Sequence, residues 1–163
     1  MLKPSIATRR LRALGFGARP SPRSTSSPRA GPNDEQPPLG RLLDVDGNRV
    51  HVVERGAGPP VVLIHGNGSL AQGWPAPGVV DRLAAHHLVL IAERPGFGYT
   101  VCPRERIWTP SAQARLIRGA LDRPGVGPAA IFGHSWGTLV TLAHAHAVDH
   151  PEQTRSIMLL SAY

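Results

Sequence analysis

The chain has 163 residues, 18 Lys and Arg against 11 Asp and Glu, 41% hydrophobic residues and only 5% aromatic ones. That is one domain's length, no apolar run approaches the roughly 18 residues that a membrane-spanning helix needs, and a single cysteine, Cys102, excludes an internal disulfide and a thiolate metal site. A reducing compartment, the cytoplasm, is expected, with no metal or cofactor.

The charge is uneven along the chain. Residues 1–38 hold seven of the basic residues, two acids (Asp34 and Glu35), seven of the 17 prolines and the cluster Ser21, Ser24, Ser26, Ser27. Such a segment has too little apolar surface to offset its ordering entropy, so 1–38 reads as a disordered basic tail ahead of a domain over 39–163. Its Arg- and Ser-rich start has the composition of a transit peptide, which makes organellar import the alternative to the cytoplasm. Without interleaved aromatic residues the charge predicts no specific nucleic-acid partner, and a small-molecule substrate is the expected one.

From Leu39 the texture changes. The runs Arg41–Asp46 and Arg49–Glu54, joined by Asp46-Gly47, predict a β-hairpin. Continuous apolar runs at Val61–Ile64, Leu88–Ala92, Ala129–Phe132 and Ser156–Leu160 lack polar alternation, as strands of a parallel sheet covered on both faces do. Helices are predicted between them at Val79–His87, Ser111–Leu121 and Trp136–Val148. The second follows Thr109-Pro110, a cap followed by a first-turn proline, and sets Ala114, Ile117 and Leu121 on one stripe. The order is that of an α/β, doubly wound, mostly parallel sheet.

Three glycine-rich segments follow buried strands. Gly133-His-Ser135-Trp136-Gly137 is G-x-S-x-G between a strand and a helix. A nucleophile on so sharp a turn needs small neighbours, and the new helix aims its free N–H groups at a developing oxyanion. Earlier, His65-Gly66-Asn67-Gly68 lets the backbone N–H of Asn67 face the same place as that of Trp136, with His65 satisfying local backbone groups. Glu93-Arg94-Pro95-Gly96-Phe97-Gly98 reads as scaffolding, with Arg94 paired near Glu93 and Phe97 over the pocket mouth.

In this order and spacing the three motifs resemble the α/β-hydrolase fold superfamily, near its serine esterase, lactonase and cofactor-free haloperoxidase branch, over 39–163. The resemblance implies Ser135 as the nucleophile that forms an acyl-enzyme, Asn67 and Trp136 as oxyanion donors, and His65, Gly66, Gly68, Gly133 and Gly137 as motif scaffold. Glu93 stands where the family usually has Asp. Haloalkane dehalogenases hold their halide with an Asn and a Trp at the matching positions, but a carboxylate nucleophile does that chemistry, and Ser135 argues against it.

Serine also needs a base and an acid, which in this family follow it in the chain. Only 28 residues do. His144, His146 and His150 lie along or just past the predicted helix, at about 1.5 Å per residue from its start, out of the serine's reach. The chain therefore reads as a hydrolase core truncated after the strand that follows the helix, and is expected to be inactive alone. Two other classes compete. One is a non-catalytic, hydrolase-derived fragment or binding protein. The other is a dinucleotide-binding protein built on Gly66-x-Gly68-x-x-Ala71 with Glu93 as the ribose acid, although Gly73, Pro75, Pro77 and Gly78 interrupt the helix it requires.

Overall fold

Asp46 and Gly47 turn the chain back on itself with φ of 51° and 78°, the left-handed pair that matches the twist of a two-residue hairpin. They join β1 (Arg41–Val45) to β2 (Asn48–Arg55), and the Gly47 N–H donates to Asp44 Oδ1 at 3.1 Å. The structure, a computed structural model, describes residues 37–74, 78–122, 126–146 and 151–162. The expected basic tail, apart from its last two residues, lies outside them.

Four more strands follow: β3 (Pro60–Ile64), β4 (Leu88–Ala92), β5 (Ala129–His134) and β6 (Thr154–Leu160). The six form one sheet in the order β1-β2-β4-β3-β5-β6. β2 joins β1 and β4 antiparallel, and β4, β3, β5 and β6 run parallel. The helices are α1 (Val79–Ala84), α2 (Pro110–Asp122) and α3 (Gly137–Ala145).

Alternate residues of the central strands feed two cores. Val62, Ile64, Leu90, Ala92 and Ile131 face α2 and α3 with Ile117, Leu121 and Val140. Val61, Leu63, Val89 and Ile91 face the other side, with Trp74 and the partly buried Val79, Val80 and Leu83 of α1. Each fully buried Val, Leu or Ile among them is worth about 1.5–3 kcal/mol. Helices on both faces make the fold the expected α/β, doubly wound, mostly parallel sheet.

β4 and β5 flank β3 on opposite sides, so the chain reverses its direction of winding across the sheet at β3. The crevice between the C-terminal ends of β3 and β5 is therefore where such sheets place their sites.

Each helix departs from its expected ends, and β1, β2, β3, β5 and β6 do so by one or two residues. α1 stops at Ala84 instead of His87, because the 84–87 backbone packs under the loop where Gly56 and Gly58 sit, with carbonyls of Ala84, His86 and His87 against those glycines. α2 starts one residue early, at Pro110, with Thr109 Oγ1 accepting the Ala112 N–H at 3.2 Å. α3 begins at Gly137, and the last two residues of the predicted helix fall outside the described ones. β6 is the outer strand, exposed from Arg155 onward, and leaves Met158 60% accessible.

Candidate functional site around Ser135

Ser135 follows β5 with φ of 51°, a left-handed conformation costly for a residue with a Cβ. Three contacts hold it. Its N–H donates to the Leu160 carbonyl of β6 at 2.9 Å, and its own carbonyl accepts the Thr138 N–H at 2.9 Å and the Thr138 hydroxyl at 2.7 Å. The flanking glycines are required by contact. A Cβ on Gly133 would meet Thr141 Oγ1, Gly137 O and Thr138 Cα, and one on Gly137 would meet the carbonyls of Ile64 and His65. One on Gly66 would lie 2.8 Å from Ser135 Cβ, so the loop after β3 lies directly against the serine. Gly68 instead serves its own turn, with φ of 77° and open space around it.

His65 is fully buried. Its Nδ1–H donates to the Gly66 carbonyl at 2.8 Å and its Nε2 accepts the Arg94 N–H at 3.1 Å, which fixes the neutral tautomer. Burial drives its pKa down to about 4, and the Arg94 charge adds to that against the opposing Gly66 carbonyl and Glu93. It positions the loop and has no nitrogen left for a substrate.

Asn67 and Trp136 stand on the two sides of the β3/β5 crevice. Among the described residues neither backbone N–H has an acceptor. Ser135 Oγ likewise has no hydrogen-bond partner among them. The histidines downstream of it are engaged elsewhere or outside. His144 lies two turns along α3, buried, with Nδ1 3.2 Å from Thr154 Oγ1 and its carbonyl accepting from Arg118. Burial, helped by the Arg118 charge, lowers its pKa to about 4. His146 caps the far end of α3, and His150 is outside the described residues. His134, next to the serine, packs its ring on Trp74, and its buried Nδ1 finds no partner among the described residues.

Arg94 does not do what its sequence neighbourhood suggests. Its guanidinium turns from Glu93 and lies between the rings of Phe97 and Trp136, 4.5 Å from each centroid. Nε donates to the His65 carbonyl at 2.9 Å, Nη2 to Asn67 Oδ1 at 2.7 Å, and Nη1 lies 3.5 Å from Gln113 Oε1. Only 2% of Arg94 is exposed, and burial lowers its pKa to about 10, which leaves it cationic at neutral pH. Nothing in the string Arg-Pro-Gly-Phe-Gly tells which way the arginine turns. Phe97 packs edge-on against His65.

Glu93, also buried, serves a separate network. Its Oε2 faces His51 Nδ1 at 2.9 Å and accepts the Tyr99 N–H at 2.7 Å, while Oε1 accepts the Ala71 N–H at 3.2 Å. Burial alone would raise its pKa; the hydrogen bonds from His51, Tyr99 and Ala71 outweigh that and hold it below the usual range. Gly98, at φ of 50°, abuts this carboxylate, so the glutamate fills space that a side chain there would claim. His51 on the second hairpin strand was not legible as its partner. The same geometry disposes of the dinucleotide alternative. Gly66 is small because Ser135 is against it, Glu93 is fully engaged, and Gly68 leads into a single 3-10 turn, Ala71–Gly73, instead of a helix whose N-terminus holds a pyrophosphate.

Comparison with known proteins bears on the family and the fold. Residues 61–162 match the model of the alpha/beta hydrolase family. The chain is 30% identical over 128 residues to 2-hydroxymuconate semialdehyde hydrolase of Pseudomonas putida, covering 78% of this chain and 45% of that protein. Among solved structures, the meta-cleavage product hydrolase CumD superimposes with a TM-score of 0.68 at 26% identity, over 76% of this chain and 45% of that one. The epoxide hydrolase VrEH1 of Vigna radiata gives 0.64 at 26% identity, over 73% and 38%. The chain spans less than half the length of the curated relatives it matches.

Proposed function

The chain belongs to the alpha/beta hydrolase family, and on that footing we propose that it carries the nucleophile and oxyanion half of a serine hydrolase. Ser135 attacks an ester-like or other small carbonyl substrate to form an acyl-enzyme, while the N–H groups of Asn67 and Trp136 receive the oxyanion. The observation that carries this reading is the left-handed Ser135 pressed against Gly66, between Asn67 and Trp136, whose backbone N–H groups have no acceptor among the described residues. Serine, in place of a carboxylate, separates it from routes that proceed through an alkyl ester on Asp.

A hydroxyl at its own pKa is a weak nucleophile, and Ser135 Oγ touches no base among the described residues. Turnover therefore needs a histidine and a carboxylate from outside them. The 163-residue chain alone is expected to leave p-nitrophenyl acetate and a fluorophosphonate untouched. Stoichiometric labelling of that chain, lost in Ser135→Ala, would overturn the requirement for an outside base. In any preparation that does label, labelling that survives Ser135→Ala would overturn the nucleophile itself.

A further inference from the structure

The guanidinium of Arg94 is a buried cation with no carboxylate against it among the described residues. The ion pairs Arg41 with Glu54 and His51 with Glu93 do not involve it. The nearest acid in sequence, Glu93, has both oxygens committed to His51, Tyr99 and Ala71. Leaving such a charge uncompensated is costly, and an apolar side chain would fill the space between Phe97 and Trp136 without that cost. What the cation faces accounts for it. One fork of donors reaches the His65 carbonyl and the Asn67 side chain in the loop after β3, while the flat face lies on Trp136 at the start of α3. These are the two chain segments whose N–H groups flank Ser135.

We propose that Arg94 is the positioning residue of this site: it locks Asn67 and Trp136 in register across the crevice and makes the space beside Ser135 selective for negative charge. The inference rests on the oxyanion reading given above and deepens it. Lysine would not replace it, since a point charge on a flexible stem neither forks to two acceptors nor stacks between two rings.

The test uses the full chain, labelled with 15N, and acetate as the probe, so that no turnover is needed. Acetate is expected to shift the backbone amide resonances of Asn67 and Trp136 in the wild type. In Arg94→Gln its affinity at those amides is expected to fall about tenfold, the factor carried by about 1.4 kcal/mol, and Arg94→Lys is expected to recover less than half of that loss in logarithmic terms. A purely structural role would lower the melting temperature and leave the acetate affinity of the folded variant unchanged, and that result overturns the proposal. Should Arg94→Gln fail to fold, the wild type still decides the matter through acetate against its neutral isostere acetamide: equal affinity overturns the proposal, and a preference for acetate of about tenfold or more upholds it. No shift at either amide in the wild type would remove the oxyanion reading and Arg94 with it. A wild-type shift that Arg94→Gln leaves intact removes Arg94 alone.

Discussion

Replacing Gly137 by alanine sets two effects against each other, and the structure decides which wins. In an ordinary helix position alanine is preferred to glycine by about 1 kcal/mol. At Gly137 the added Cβ would stand 2.7 Å from the His65 carbonyl oxygen and 3.0 Å from the Ile64 carbonyl carbon, with the Ile64 oxygen closer still. Ile64 ends β3, paired to strands on both sides, and His65 follows it; both are fully buried backbone, so these atoms cannot retreat as a flexible side chain would. Forcing a methyl into such a place costs about 1–3 kcal/mol or more, and the helix gain is smallest at a first helical position, so a net loss of about 2 kcal/mol is expected. For a domain of this size, that is a fall in Tm of about 8 °C. Gly127→Ala is the control, since a Cβ there meets nothing within 4 Å and its effect should stay within about 0.5 kcal/mol. Thermal and urea unfolding followed by circular dichroism measure both. A Gly137→Ala protein as stable as the wild type would refute the claim that close backbone approach dictates this glycine.

Stability should also fall as the solution becomes acidic, in two stages. His65 and His144 have folded pKa values lowered to about 4, so their neutral forms stabilise the fold fully above the unfolded value of 6.5. That contribution drains away as pH falls from there towards 4, by up to about 1.4 kcal/mol per pH unit for each histidine. Urea midpoints that do not change between about pH 7.5 and about pH 5 would contradict this. Glu93 is held below its ordinary 4.5, so its share is present above that value and is lost only on further acidification; the stability gap between Glu93→Gln and the wild type should narrow as pH drops below it. At the outer edge, Met158→Lys should leave folding stability within about 0.5 kcal/mol. It should also reduce concentration-dependent self-association in sedimentation velocity, because Ile157, Met158 and Leu159 present an apolar strand, of which Ile157 and Met158 border a groove of about 410 Å³ beside α1. A wild type that stays monomeric at high concentration would remove that expectation.

The strands, the hairpin turn and the serine's turn were legible because each rests on local chemistry. Continuous apolar runs become parallel strands, Asp46-Gly47 accepts two left-handed residues, and glycines two before and two after Ser135 signal close approach. Helix ends were less legible, since α1 is cut short by a loop some 28 residues earlier in the chain, at Gly56, which no local pattern announces. The site was legible in its backbone and opaque in its charges. Arg94 and Glu93 are sequence neighbours at the end of one strand, yet they point into separate networks, one reaching Asn67 and Trp136 and the other His51. Both follow β4, whose neighbours in the sheet are β2 on one side and β3 on the other, so Glu93 meets His51 of β2 and Arg94 meets the loop after β3, a property of the sheet order that the local string does not carry.

The hydrogen bond from the Ser135 N–H to the Leu160 carbonyl sets a schedule for assembly. A left-handed serine is not something that β5 and α3 can hold unaided as an early local nucleus, because one of its three restraints comes from β6, some 25 residues later in the chain. As the chain emerges from the ribosome, the turn can sample its final geometry only once β6 has been made and has docked alongside β5. Ser135 thus takes its final shape only after β6 has docked, and a nascent chain that stalls before Leu160 would display the G-x-S-x-G sequence without its geometry.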